Sequence, residues 1–169
     1  MNNYLLAQFD FHHRLYNNVL DGFSDAEANA RMHDDTNLNY VKYVAGHLLQ
    51  SQYGFARLAG LQIQPKWSDL FAPAGQTRAR DDVAYPELDA IKSEWNTLYP
   101  DIHNRFSALT SEALNATAPE PFGSLFAGNT DFGNTVAGVW AFLIHHQAYH
   151  IGQIALLRRG FGKPPMRYD

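Results

Sequence analysis

The sequence predicts an all-α protein, a four-helix bundle with long crossover connections. Three observations carry that reading. Four segments place apolar residues three and four apart, which is the period of an amphipathic helix. No segment sustains the apolar–polar alternation of a strand. The connections run to roughly fifteen to twenty-five residues, longer than an ordinary bundle turn, so neighbours in sequence need not be neighbours in space. The 169 residues suit one domain over positions 1–169, long enough to enclose a hydrophobic core.

The first helix is expected from about Asn3 to Asp21, with Leu5, Phe9, His12, Tyr16, Val19 and Leu20 on one stripe and Gly22 as a stop. Ser24 followed by Glu27 forms a capping-box pattern for a short turn. The second helix is expected over Asn39 to Ala59. Val44, His47, Leu48, Ser51, Phe55 and Leu58 share its face, and Gly60 sits where a C′ glycine belongs. The third is expected from Pro86, at the first helical position, to Leu109, with Leu88, Ile91, Trp95, Leu98, Ile102 and Phe106 as its stripe. Pro100 lies inside it. The apolar phase continues across that proline, which predicts a kink near Leu98 rather than a break. The fourth helix is expected from Thr135 to Arg159, capped by Asn134 or Thr135 and ended by Gly160 and Pro164–Pro165. Trp67, Phe71, Phe122, Phe126 and Phe132 in the connections are expected to pack against the bundle.

Composition narrows the chemistry. The absence of cysteine removes disulfides, thiolate metal sites and a cysteine nucleophile, and leaves histidine and carboxylate as the strong ligands. Net charge is −4 and no basic run exceeds two residues, so nucleic acid is not an expected partner. The longest apolar stretch carries His145, His146, Gln147, His150 and Gln153, which argues against a membrane span. The N-terminal residues lack the charged and apolar regions of a signal peptide, and a cytoplasmic location is expected.

That same stretch holds the most informative pair, His146 and His150. Four residues apart on a helix, they stand one turn apart on one face. The stripe Val139, Phe142, Leu143, His146, Tyr149, His150, Gln153, Leu157 is apolar on both sides of the polar cluster, so it is expected to face the core. Buried imidazoles need partners, and a divalent metal is the partner that serves both. Two ligands make a poor site. His47, on the inward stripe of the second helix beside Gly46, is the best third ligand. Three histidines leave coordination positions open, as catalysis requires. His12 is a weaker candidate. His145 points about 100° away from His146, and His13, His33 and His103 are expected to be solvated or locally bonded. Tyr149 and Gln153 flank the pair and could orient ligands. Trp67, Phe71 and Phe126 are candidate pocket walls, with core packing as the alternative. Gly138, Gly152, Ala137, Ala141, Ala148 and Ala155 form a small-residue edge suited to close helix approach or to a dimer contact. Glu-x-x-His, His-Glu-x-x-His, Gly-x-Ser-x-Gly and phosphate-loop motifs are absent from the sequence.

The motifs Val44-Ala-Gly-His47-Leu-Leu and His146-Gln-Ala-Tyr-His150-Ile-Gly-Gln153-Ile-Ala-Leu-Leu-Arg158 resemble those of the DinB-like (YfiT-like) superfamily of metal-dependent four-helix bundles. The chain departs from the pattern at Ile151, where arginine is common, and so lacks any substrate contact that arginine would make. The resemblance implies helices in up-down-down-up order, zinc or nickel on His47, His146 and His150, and a homodimer. It also implies thiol-transfer chemistry, with the thiol as a cosubstrate because the chain has none. The functional expectation is a metal-dependent enzyme, a thiol S-transferase or hydrolase, that activates a low-molecular-weight thiol or water toward a small electrophile. The alternative is a non-catalytic metal-binding or structural module.

Overall fold

The computed structural model describes residues 2–34, 37–71 and 78–168. Four long helices form the frame: α1 (Asn2–Leu20), α3 (Val41–Leu58), α5 (Leu88–Ser107) and α8 (Val136–Gly160). Four short ones decorate the connections: α2 (Asp25–Ala28), α4 (Ser68–Phe71), α6 (Ser111–Asn115) and α7 (Phe122–Leu125). Among the described residues there is no strand, only an isolated bridge between Thr117 and Thr135. No helix of the described residues is long and apolar enough to cross a membrane.

Contacts along the helices fix their directions. Tyr16 donates to the Ala45 carbonyl while Phe9 meets Phe55, so α1 and α3 run opposite ways. Asn17 pairs with Asn96 and Asp10 with His103, so α1 also opposes α5. His47 meets His150 while Gly54 faces Leu143, so α8 opposes α3. The order is up-down-down-up, as the resemblance implies. The main packed pairs are α1 with α5 and α8, and α3 with α5 and α8.

The apolar stripes meet in an aromatic core. Trp95 stacks on Tyr16 at 3.9 Å and Trp140 on Phe106 at 3.7 Å, with Phe9 edge-on to Phe55 and Phe106. Each such ring, fully buried, contributes about 1.5–3 kcal/mol. The capping signals act as expected in three places. Ser24 and Glu27 close a capping box. Thr135 accepts from the Gly138 N–H. Gly60, at φ 80°, ends α3 in a Schellman motif, with its N–H on the Arg57 carbonyl and that of Leu61 on Ala56.

Two boundaries differ from expectation. Pro86 is not the first helical residue of α5; Glu87 is the cap and Leu88 begins the helix. The reason is tertiary: Asp25 of α2 accepts from the Leu88 N–H at 2.8 Å and also pairs with the buried Lys42 at 2.6 Å, so one carboxylate ties the starts of α3 and α5 together. At the other end of the chain, Gly160 remains helical. The stop falls at Gly162, φ 72°, where Gly162 and Lys163 donate to the Arg159 and Arg158 carbonyls. Pro100, as the continuing apolar phase predicts, does not break α5. The Asn96 carbonyl, deprived of its donor, belongs to an exposed residue and can turn to water.

The interface of α1 and α5 carries an acid-sensitive group. His13 stacks on Tyr99 at 3.8 Å, and burial lowers its pKa to about 4, with Asp10 opposing and Arg14 reinforcing the shift. The unfolded chain, with an ordinary histidine near pH ~6.5, therefore takes the proton more readily than the folded one. Stability from this residue is complete above about pH 6.5 and is lost as pH falls toward 4. Thermal midpoints of metal-free protein are expected to decline across that window, and His13→Gln should flatten part of the decline. An identical pH slope in the variant would remove His13 from the account.

Candidate metal centre

The residues around the cluster explain why it forms. α3 and α8 approach along a seam where Gln147, fully buried, donates to Ser51 Oγ at 3.1 Å and Gln52 Oε1 at 3.2 Å. This polar brace sets the register of the two helices one turn from the histidines. Gly46 provides the next requirement. A Cβ there would lie 2.2 Å from Phe71 Cε1, so glycine alone admits the Phe71 ring against α3. That ring position brings the Phe71 carbonyl to His47 Nδ1 at 3.0 Å.

His47, His146 and His150 converge from α3 and α8, with one nitrogen of each within 4.8 Å of the others. The Nε2 atoms of His47 and His146 are 3.0 Å apart. The three rings stand roughly edge-on to one another, with centroids 4.5–5.0 Å apart. Hydrogen bonding assigns two of the tautomers. The Nδ1–H of His47 donates to the Phe71 carbonyl, and that of His150 donates to Gln153 Oε1 at 2.7 Å. Each bond leaves a bare Nε2 lone pair, the form that ligates metal. Without an ion, a single proton on His146 Nε2 reconciles the facing nitrogens of His47 and His146. Burial, with the neighbouring imidazoles adding to it, lowers the His146 pKa to about 3. Burial also lowers that of His150, against the Gln153 hydrogen bond. His146 and His150 therefore favour the neutral form, and an all-imidazole donor set suits zinc, nickel, copper or iron.

The cluster lies at one side of a cleft of about 480 Å³ that is also lined by Asn39, Tyr43, Val44, Tyr149 and Gln153. Several expectations meet the structure here. Gln153 orients a histidine, as the sequence suggested, and His145, turned away from His146, is exposed. The histidine stripe faces the core only in part: Val139, Leu143 and Leu157 are buried, but the buried arc of α8 centres on Trp140, Ile144, Gln147, Ile151 and Ile154, about one residue further round, and Tyr149 is 61% exposed. The imidazoles therefore sit where the core opens to the cleft, and half-buried is their correct description. Trp67, Phe71 and Phe126 are not among the described lining residues; Phe71 and Phe126 are buried in the core and Trp67 packs against it. His12 is buried against α8, beside a second groove, and lies outside the three-histidine cluster. His103 is paired with Asp10 at 2.8 Å and His13 is stacked rather than solvated. On the small-residue edge, Gly138 makes room for the Phe132 carbonyl, Ala137 and Ala155 pack against the core, and Ala141 and Ala148 line a groove shared with Gln8, Phe11 and His12 of α1, while Gly152 is exposed with nothing nearby.

Sequence reasoning passed over Tyr43, Asn39 and the Phe71 carbonyl. Tyr43 lies four residues before His47 and stacks over it at 6.4 Å, a spacing that could have flagged it. A backbone carbonyl from a loop leaves no such signal.

Known proteins agree with this architecture. The fold matches that of a conserved protein from Enterococcus faecalis with a TM-score of 0.67, over 96% of this chain and 98% of the other, at 16% identity. Among curated proteins no sequence matches significantly. A profile of the DinB superfamily matches residues 8–154, most of the chain and all three histidines of the cluster, and the protein therefore belongs to the DinB superfamily.

Proposed function

We propose that the protein is a metal-dependent enzyme in which His47, His146 and His150 hold one divalent ion, zinc or nickel, at one side of the cleft. The observation that carries this reading is the convergence of three imidazoles, two with Nδ1 already committed as a donor. A bound divalent ion would supply Lewis-acid activation of a low-molecular-weight thiol or of water for attack on a small electrophile. The chain's own groups do the positioning. Phe71 and Gln153 fix two rings in the ligating tautomer, and Tyr43, Val44 and Tyr149 bound the space in which the reactants meet. The reaction is a thiol S-transfer or a hydrolysis, carried out by a homodimer.

One observation favours a second reading, a metal-binding module without turnover: no carboxylate or other evident base lines the cleft among its described residues. The two separate cleanly. Untagged protein reconstituted with zinc or nickel is expected to retain about one equivalent, and less than ~0.2 equivalents would reject both readings. A screen of electrophiles with several thiols, run with and without metal, then decides between them. Turnover that disappears with the metal supports the enzyme, and its absence across the screen supports the module.

A further inference from the structure

Granting the metal reading, the remaining question is what kind of molecule the cleft admits. We propose that it selects a ligand with one coordinating head and an uncharged aromatic or aliphatic body, and discriminates against a body that carries a carboxylate.

The argument begins with charge. Beyond the three imidazoles, the described lining is Asn39, Tyr43, Val44, Tyr149 and Gln153, with no lysine or arginine among them. All 13 lysines and arginines of the chain fall within the described residues, so no basic side chain has been overlooked. Arg31, which clamps the segment leading to Asn39, is already matched: it pairs with Asp81 at 2.6 Å and donates to the Leu38 carbonyl. Ile151, beside His150 in sequence, is 2% exposed and faces the core, so that position supplies no cation to the cleft either.

The polar groups of the walls are all neutral: the Asn39 and Gln153 amides, whose oxygens accept from the Ala79 N–H and from His150, and the hydroxyls of Tyr43 and Tyr149. Neutral donors compensate a carboxylate less than a fixed cation would, whereas the two tyrosine rings and the Val44 side chain suit an uncharged body. Three neutral imidazoles leave a divalent ion its full double charge, enough to favour one anionic head. A second, remote carboxylate gains little from what remains, because solvent in an open cleft screens it. It would also give up water without meeting a fixed cation.

A matched pair of probes tests this: phenylmethanethiol and 4-(mercaptomethyl)benzoate, which differ by one carboxylate. Each is titrated into cobalt(II)-loaded protein at one pH, and sulfur-to-cobalt absorption reports binding; the thiol proton passes to the buffer. The neutral probe is expected to bind about tenfold tighter or more. Equal affinity, or preference for the benzoate, would overturn the proposal. Tyr149→Arg, at an exposed position that tolerates change, should bring the two affinities within about threefold or reverse them. An unaltered preference in that variant would remove the missing wall cation as the cause. Protein that takes up no cobalt would sink the metal reading alone. In that case 4-methylbenzyl alcohol and 4-(hydroxymethyl)benzoate, followed by Val44 methyl shifts in the metal-free protein, still decide the selection, because contacts with the body need no ion.

Discussion

Replacing His47 with alanine is expected to lower bound zinc or nickel, after reconstitution and desalting, from about one equivalent to below ~0.2. His47 is the sole contribution of α3 to the cluster, and without it the two α8 imidazoles hold an ion by one helix face only. His150→Ala should behave in the same way. The fold is expected to survive, since all three rings lie at the mouth of the cleft and the aromatic core does not rest on them. Far-ultraviolet circular dichroism checks that point. Gln153→Ala provides the contrast: it removes only the acceptor that orients His150, so stoichiometry should hold while affinity weakens roughly 10–100-fold. Full metal retention by His47→Ala would mean that the convergence of the three rings has another cause.

Gly46→Ala is expected to cost about 1–3 kcal/mol, despite alanine's better helix propensity. The new methyl would stand 2.2–2.5 Å from three atoms of the Phe71 ring, and Phe71 is fully buried. The ring must move, and its carbonyl, which holds His47 Nδ1, moves with it. The variant should therefore lose thermal stability, by about 2–4 °C per kcal/mol, and metal affinity together. Gly46→Ala combined with Phe71→Leu should recover part of both losses, because the smaller side chain relieves the clash. Gly152→Ala on the exposed face of α8, where a methyl meets nothing within 4 Å, should instead stabilise by about 0.5–1 kcal/mol. If Gly46→Ala matches Gly152→Ala, the close approach of Phe71 does not govern the site.

How far the sequence discloses this molecule depends on how local each cause is. Periodicity and caps are local, so the four long helices were legible to within a few residues. Ser24, Gly60 and Thr135 act where their side chains or backbones predict. Pro86 misled because the start of α5 is set by Asp25, more than sixty residues earlier in the chain, and a helical pattern does not encode such a partner. The three histidines were legible from spacing and from the resemblance to a family. The phase of α8 was harder, because that helix is apolar nearly all round and its burial is decided by neighbours rather than by contrast along its own sequence. The walls of the cleft were least legible. Aromatic loop residues were the natural guess, yet Phe71 and Phe126 went to the core and left the boundary to Tyr43 and Tyr149.

The helix order has a consequence for how the chain comes together. The opening helix finds its principal neighbours late: Asp10 waits for Tyr99, 89 residues on, and the Val19 carbonyl for Arg158, 139 residues on. During synthesis the sticky flank of α1 thus stays exposed until α5 and α8 have emerged. Such long-range closure slows folding and lengthens the interval in which holdase chaperones can capture the chain.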